Sequence, residues 1–197
     1  MLLIGDIYAS MLLADREIHM KGVIFNVLEE MVTKECDLAT WNLVLEECAA
    51  EGIYTAGESY PDSELFLLVE SISRHTGIAQ ESLIGAFGEF LFQQLAARYP
   101  IFVESESTLK SFLKSVDSVI HMEVKKLYDS PGLPSFTYFE PSEDQLIMKY
   151  TSPRKLCILA EGLIRGAATY YKTDISISHP VCMHKGSDHC DLIIRFL

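Results

Sequence analysis

Residues 154–171, RKLCILAEGLIRGAATYY, have the apolar spacing of one long helix and carry small residues for close packing. Segments typical of strands lie on both sides of this helix, QLIMKYTSPR at residues 145–154 and CDLIIRFL at residues 190–197. Upstream, from about Val23 to Leu95, the apolar residues mostly follow the helical period. Helices that precede strands arranged around a long helix predict an α+β fold.

The composition excludes several classes of protein. The 197 residues are 49% apolar and 22% charged, which is ordinary for a globular domain. Lys and Arg total 16 against 28 Asp and Glu, a formal net charge of −12. Because such an acidic chain repels phosphate backbones and anionic lipid, we expect no nucleic-acid partner and no membrane partner.

The first 19 residues are set apart from the rest of the chain. They lack the basic start of a signal peptide, Asp6 interrupts their apolar stretch, and a second start-like segment begins at Met20. We therefore expect an N-terminal extension of uncertain status at residues 1–19 and a single domain over residues 20–197. Without an export signal the expected location is the cytoplasm, where cysteines stay reduced.

A dense group of thiols and imidazoles lies near the C-terminus. Cys182 and Cys190 flank a short turn, His179 lies three residues before Cys182, and Cys157 lies further upstream. Soft thiolates together with imidazole suit a tetrahedral Zn²⁺ ion. The alternative is a hairpin whose thiols are incidental, since the spacing does not match a standard zinc finger.

A second candidate site is formed by Tyr150, Ser152 and Arg154. In an extended segment these three side chains fall on one face, because the strand period is two. A phenol, a hydroxyl and a guanidinium in a row suit the binding of carboxylates or phosphate. The alternative is an ordinary edge strand with polar residues.

His121 is the third feature, on a helix predicted over residues 107–128. It lies beside Val119, Ile120 and Val124. A histidine on an apolar face is often a hydrogen-bonded core residue. A neutral imidazole in an apolar cleft is also what a five-coordinate haem iron requires.

Together these features resemble one family, the haem nitric oxide/oxygen binding (H-NOX) domain, which is related to the sensor domain of soluble guanylate cyclases. The likeness rests on the opening MKGVIFN at residues 20–26, on His121, on Pro134 thirteen residues later and on the Y-x-S-x-R motif at residues 150–154. It extends from about Met20 to the C-terminus. The family fold implies a helical distal lobe at about residues 20–84, a proximal α/β lobe with an antiparallel sheet at about 85–197, and haem between them.

The resemblance also implies roles for single residues. His121 would be the proximal ligand of the iron in a haem b, and Pro134 would press on the porphyrin and help to distort it. The three residues of the Y-x-S-x-R motif, Tyr150, Ser152 and Arg154, would hold the haem propionates. Four further residues look like the zinc site of a subset of bacterial members: Cys157, His179, Cys182 and Cys190.

The distal pocket decides which gas is bound. Family members that hold oxygen stably place a tyrosine after the Y-x-S-x-R motif, and the matching position here is Leu159. Leu28 and Leu91, which match other distal positions, offer no hydrogen bond either. Without a donor, bound O₂ loses about 1.5–3 kcal/mol of stabilisation. The resemblance therefore implies a sensor of nitric oxide that also accepts CO.

Relatives of this stand-alone bacterial type are not enzymes and act on a separate signalling protein. The resemblance implies a histidine kinase or a cyclic-di-GMP enzyme, a diguanylate cyclase or phosphodiesterase, as the partner. Haem relaxation and rotation of the two lobes would carry the signal.

A haem-free module similar to the vinyl-reductase type is the alternative, because the end of such modules resembles Cys182-x-x-x-Gly186-x-x-x-Cys190. It would carry zinc and bind a small molecule or sense oxidation, and His121 would belong to its core. A thiol or zinc enzyme is a third reading, but four protein ligands would close the coordination sphere.

Overall fold

Helices dominate the first half of the chain and strands the second, in a computed structural model that describes residues 19–122 and 132–197. The predicted α+β class is confirmed. Residues 1–18 of the predicted extension lie outside the described part. The helices are α1 (Gly22–Glu35), α2 (Leu38–Cys48), α3 (Asp62–Thr76), α4 (Gln80–Arg98), α5 (Pro100–Glu104), α6 (Leu109–Ser115) and α7 (Cys157–Tyr170). The strands are β1 (His19–Lys21), β2 (Ser59–Pro61), β3 (Ser135–Ser142), β4 (Gln145–Thr151), β5 (Ile175–Val181) and β6 (Cys190–Phe196).

The main sheet is antiparallel, with the strand order β3-β4-β6-β5. Alternate residues of β4 and β6 are buried, as the strand period requires. The register pairs Tyr150 of β4 with Cys190 of β6. The sheet therefore places a residue of the Y-x-S-x-R motif beside a predicted metal ligand.

Helices α4 and α7 pack closely, because both carry glycines at their contact. A Cβ atom on Gly162 would lie 2.2 Å from the carbonyl oxygen of Gly85, and one on Gly88 would lie 2.5 Å from that of Leu159. Helix α4 is buried on several sides, as its nearly continuous apolar sequence predicts. No helix in the two described ranges combines the length and apolarity needed to cross a bilayer.

The core consists of two hydrophobic clusters that meet within α4. The first includes residues between Met20 and Leu91, joined by Leu156, and the second includes residues from Phe92 to Ile194. Neighbouring residues of one helix thus belong to different clusters. The division into lobes near residue 84 stays a prediction.

The helix predicted over residues 107–128 is not regular. After α6 the chain forms a π-helical turn at Val116–Ile120, in which the N–H of His121 donates to the carbonyl of Val116. Residues 123–128 lie outside the described part. The predicted helix is therefore present over residues 109–122, with a widened π-helical turn that leads into His121.

Candidate functional site

The four predicted zinc ligands come together at one end of the main sheet. Cys157 begins α7, His179 lies in β5, Cys182 follows β5 and Cys190 begins β6. One ligand atom from each residue lies within 4.8 Å of those of the other three. The three thiols are buried. Residues spread over more than thirty positions of sequence thus converge on one point.

The imidazole of His179 is oriented as a metal ligand would be. Its Nδ1 lies 2.7 Å from Oε1 of Glu161, one turn into α7. Because a carboxylate accepts hydrogen bonds, Nδ1 carries the proton and Nε2 keeps its lone pair. Among the described residues, this buried Nε2 has no hydrogen-bond partner. A buried nitrogen without a partner is costly unless something binds it, and a metal ion would do so.

The thiols also favour a bound cation over a hairpin whose thiols are incidental. The Sγ atoms of Cys157 and Cys182 are 3.9 Å apart. Burial raises the pKa of the Cys157 thiol and, to a lesser extent, that of Cys190. A divalent cation would reverse this effect by stabilising the thiolates. Three thiols and one imidazole therefore fit tetrahedral Zn²⁺, although zinc itself stays a prediction.

The Y-x-S-x-R motif is buried, but it is only partly extended. Strand β4 ends at Thr151, so Ser152 and Arg154 lie in the turn that follows rather than on one strand face. The N–H of Arg154 donates to Oγ of Ser152 at 3.2 Å, and the Tyr150 hydroxyl accepts from the N–H of Leu156 at 2.9 Å. Burial raises the pKa of Tyr150 to about 12, so the phenol stays protonated and can donate.

Arg154 binds a carboxylate of the chain itself. Its Nε donates to Oδ2 of Asp62 and its Nη2 to Oδ1 at 3.2 Å, a two-point contact buried on both sides. The carbonyls of Gly132 and His19 accept from the same guanidinium. The guanidinium expected to hold a haem propionate therefore already holds a carboxylate of the same chemistry.

Asp62 is the residue that the sequence did not reveal. Its place after Pro61 predicts a helix-capping role, shared with Ser63, but Pro61 takes the capping position and Asp62 is the first residue of α3. The side chain of Asp62 turns to Arg154 instead, 92 residues away. The feature that marks Asp62 is the burial of its acidic side chain. The sequence pattern at the start of a helix does not reveal this burial.

His121 and Pro134 lie close to the start of β3. The His121 side chain is 12% exposed, and its Nδ1 lies 3.3 Å from Oδ1 of Asp117. Its ring centroid is 5.9 Å from that of Phe136. Pro134 is half-buried immediately before the strand. An imidazole fixed at Nδ1 beside an aromatic ring suits a ligand that uses Nε2.

The three predicted distal leucines belong to one region of the core. Leu28 and Leu91 are buried in the first hydrophobic cluster, and Leu159 packs against it. Leu159 lies two residues after the metal-ligand candidate Cys157 on α7. All three aliphatic side chains thus lie in or against one hydrophobic cluster, and their role as a distal pocket stays a prediction.

Comparisons with known proteins agree with this geometry. A family model described as Haem-NO-binding matches residues 21–179. An H-NOX protein from S. oneidensis in the Fe(II)NO ligation state is 42% identical, with a TM-score of 0.86, over 90% of this chain and 99% of that one. The unliganded Fe(II) H-NOX protein from K. algicida is 25% identical, with a TM-score of 0.82, over 90% of this chain and 97% of that one.

A mutant of T. tengcongensis H-NOX is 20% identical with a TM-score of 0.82, over 90% of this chain and 97% of that one, which shows the shared fold. No curated protein sequence matches the chain. The family model spans most of the chain, and the S. oneidensis protein is a close relative over nearly its whole length. The resemblance inferred from the sequence is confirmed: the chain belongs to the H-NOX family of haem-based gas sensors.

Proposed function

We propose that this protein senses nitric oxide at a ferrous haem b and passes the signal to a separate protein. The observation that carries the proposal is the buried Y-x-S-x-R motif together with His121, in a fold shared with a relative solved in the Fe(II)NO state. A second solved form of that S. oneidensis protein is in the Fe(II)CO state, which supports CO as a further ligand.

His121, the motif and Pro134 would hold the haem. When bound, haem supplies a ferrous iron that takes up diatomic gases. His121 would ligate this iron through Nε2, since Asp117 engages Nδ1. Arg154 would bind propionate as it binds Asp62, with the protonated Tyr150 as a further donor. Ser152 would complete the set, and Pro134 would press on the porphyrin.

Selectivity for NO follows from the distal leucines, Leu28, Leu91 and Leu159. Their aliphatic side chains exclude water but donate no hydrogen bond. Oxygen binding depends on such a bond far more than NO binding does in this family. The pocket would therefore discriminate against O₂ by about 10–100-fold.

The output would run through contacts between the two hydrophobic clusters. Asp62 begins α3, on the first cluster, and Arg154 follows β4, on the second. If a propionate took the place of Asp62 at Arg154, this contact between the two clusters would change. Release of His121 would also free the π-helical turn at Val116–Ile120, which Asp117 links to β3. Rotation of the lobes about α4 could then alter the surface that a partner reads.

The partner we propose is a histidine kinase or a cyclic-di-GMP enzyme, with no catalysis by this chain itself. A surface with a net charge of −12 favours a partner with a basic patch. We place the protein in the cytoplasm, because a reducing compartment keeps Cys157, Cys182 and Cys190 available as thiolates.

Zinc at Cys157, His179, Cys182 and Cys190 would be structural. It would fix the start of α7 to the two terminal strands, since these elements supply all four ligands. The alternative role is oxidation sensing, in which oxidation of the thiolates releases the zinc.

Visible absorption spectra of the reduced protein test the proposal. We expect a haem Soret band under anaerobic conditions, a shift of this band on addition of NO, and no stable oxygen complex when a separate NO-free sample meets air. His121→Gly should change the spectrum of the reduced protein. A stable oxygen complex would overturn the NO selectivity. Absence of a haem band after haem is supplied would overturn the sensor function and favour the haem-free, zinc-bearing module.

A further inference from the structure

We propose that Asp117 is a positioning residue for His121, which holds the imidazole through Nδ1 and strengthens the bond from Nε2 to the haem iron. This inference rests on the proposed role of His121 as the iron ligand. Asp117 belongs neither to the Y-x-S-x-R motif nor to the metal cluster or the distal leucines. The inference gives its carboxylate a function.

The contact between the two side chains is direct. Oδ1 of Asp117 lies 3.3 Å from Nδ1 of His121, and the Asp117 and His121 side chains are 31% and 12% exposed. Because the carboxylate can only accept, this contact selects the tautomer with the proton on Nδ1. That tautomer directs the lone pair of Nε2 away from Asp117, as an iron ligand requires.

Asp117 is itself held in place by β3. The N–H of Phe136 donates to the same Oδ1 at 3.3 Å, and the N–H of Asp117 donates to the hydroxyl of Tyr138 at 3.4 Å. The ring of Phe136 also packs against His121. The carboxylate and the imidazole are therefore both fixed to the first residues of one strand, next to Pro134.

The backbone around Asp117 is specialised. The π-helical turn at Val116–Ile120 contains Asp117 and closes with the hydrogen bond from His121 to Val116. Single π-turns inside helices are frequent at functional sites. Here the widened turn keeps Asp117 and His121, four residues apart, in contact, while the N–H of Asp117 lies 3.4 Å from the hydroxyl of Tyr138 in β3.

The chemical consequence follows from the charge of Asp117. A carboxylate that accepts from one imidazole nitrogen raises the basicity of the other and strengthens its bond to a metal. When bound, haem would supply a ferrous iron that His121 ligates and that takes up NO. A more basic His121 would stay on this iron in a larger fraction of the NO-treated protein, so Asp117 would set the fraction that releases His121.

Asp117→Asn tests this role, because the amide oxygen can still accept from Phe136 while the negative charge is lost. We expect the iron–histidine stretching frequency of the reduced protein to fall in resonance Raman spectra. We also expect a larger fraction of NO-treated protein to release His121, and haem dissociation about 10-fold faster. Ser118→Ala, an exposed change on the same turn, is the matched control and should leave all three unchanged.

An unchanged stretching frequency in folded, haem-loaded Asp117→Asn overturns the inference. If that variant fails to fold, Asp117→Ala removes both the charge and the acceptor, and an unchanged frequency there has the same meaning. His121→Gly separates the two levels of the argument. If it alters the reduced spectrum while Asp117→Asn does not, only the role of Asp117 fails. If it alters nothing, the proposed haem ligand fails.

Discussion

The two candidate metal sites differ in how far the protein alone assembles them. At the zinc cluster, four ligand atoms from separate elements already lie within 4.8 Å of one another. On the haem side, each predicted binding group has a partner within the chain. Arg154 holds Asp62, and His121 contacts Asp117.

The difference reflects the size of what is bound. A single ion requires ligands that meet at one point, and adjacent strand ends with a helix start provide this. A flat cofactor requires groups spread over a large surface, and buried polar groups among them need partners of their own. Asp62 would therefore serve as the carboxylate that Arg154 binds when propionate is absent.

The largest effect is expected at the zinc cluster. Cys182→Ala should abolish stoichiometric zinc binding and lower the free energy of unfolding by about 4 kcal/mol, the stabilisation that an ion gives at roughly 1,000 times its Kd. Metal analysis and thermal unfolding measure both quantities. Cys36→Ala removes an exposed cysteine outside the cluster and is the control. Unchanged zinc content and stability in Cys182→Ala would show that the four residues do not form a metal site.

The next effect concerns the haem side. Asp62→Asn leaves the buried guanidinium of Arg154 without a counter-charge, so we expect the haem-free protein to lose about 3 kcal/mol of stability. Haem loading should restore much of this loss if a propionate takes the place of Asp62. Chemical unfolding of both forms measures the difference. Glu30→Gln, which breaks an exposed pair with Arg98, is the control. Equal losses with and without haem would show that Arg154 does not change its partner.

Periodicity and residue chemistry predict much of this molecule. The α+β order, the buried helix α4 and the strands β4 and β6 follow from apolar spacing alone. The four zinc-ligand candidates were recognisable because thiols and imidazoles are rarely so dense unless they bind something. The family resemblance came from the spacing between His121 and the Y-x-S-x-R motif.

The contacts that the sequence did not predict are long-range or irregular. Asp62 lies 92 residues from Arg154, and its local context resembles a helix cap. The π-helical turn before His121 has the same apolar spacing as an α-helix. Glu161 looks like a solvated helix residue until β5 brings His179 against it. In each case the deciding partner comes from a different element, which local patterns do not encode.

A smaller effect is expected at Glu161, which orients the zinc-ligand candidate His179 but is not itself a ligand. Glu161→Gln keeps the acceptor for Nδ1 of His179 but removes its charge, so we expect zinc affinity to fall by about 10-fold without loss of the site. Equilibrium competition for zinc with a chromogenic chelator measures this affinity. Glu89→Gln is the matched control, because Glu89 pairs with Arg165, as Glu161 does, but is not in the pair with His179. Equal zinc affinities in the two variants would show that Glu161 does not support the metal.

The smallest effect is expected at the exposed ion pairs that fasten α6 to β3, before the turn that carries His121. Lys110 and Lys114 donate to Glu140 and lower the pKa of its carboxyl from 4.5 to about 2. A lowered pKa in the folded state stabilises it above pH 4.5, and this contribution disappears as the pH falls towards 2. Glu140→Gln should therefore lower Tm by no more than about 2 °C at pH 7, and the difference should shrink as the pH falls towards 2. Glu143→Gln on the same hairpin is the control, and a difference from wild type that is as large at pH 2 as at pH 7 would mean that Glu140 acts through packing rather than charge.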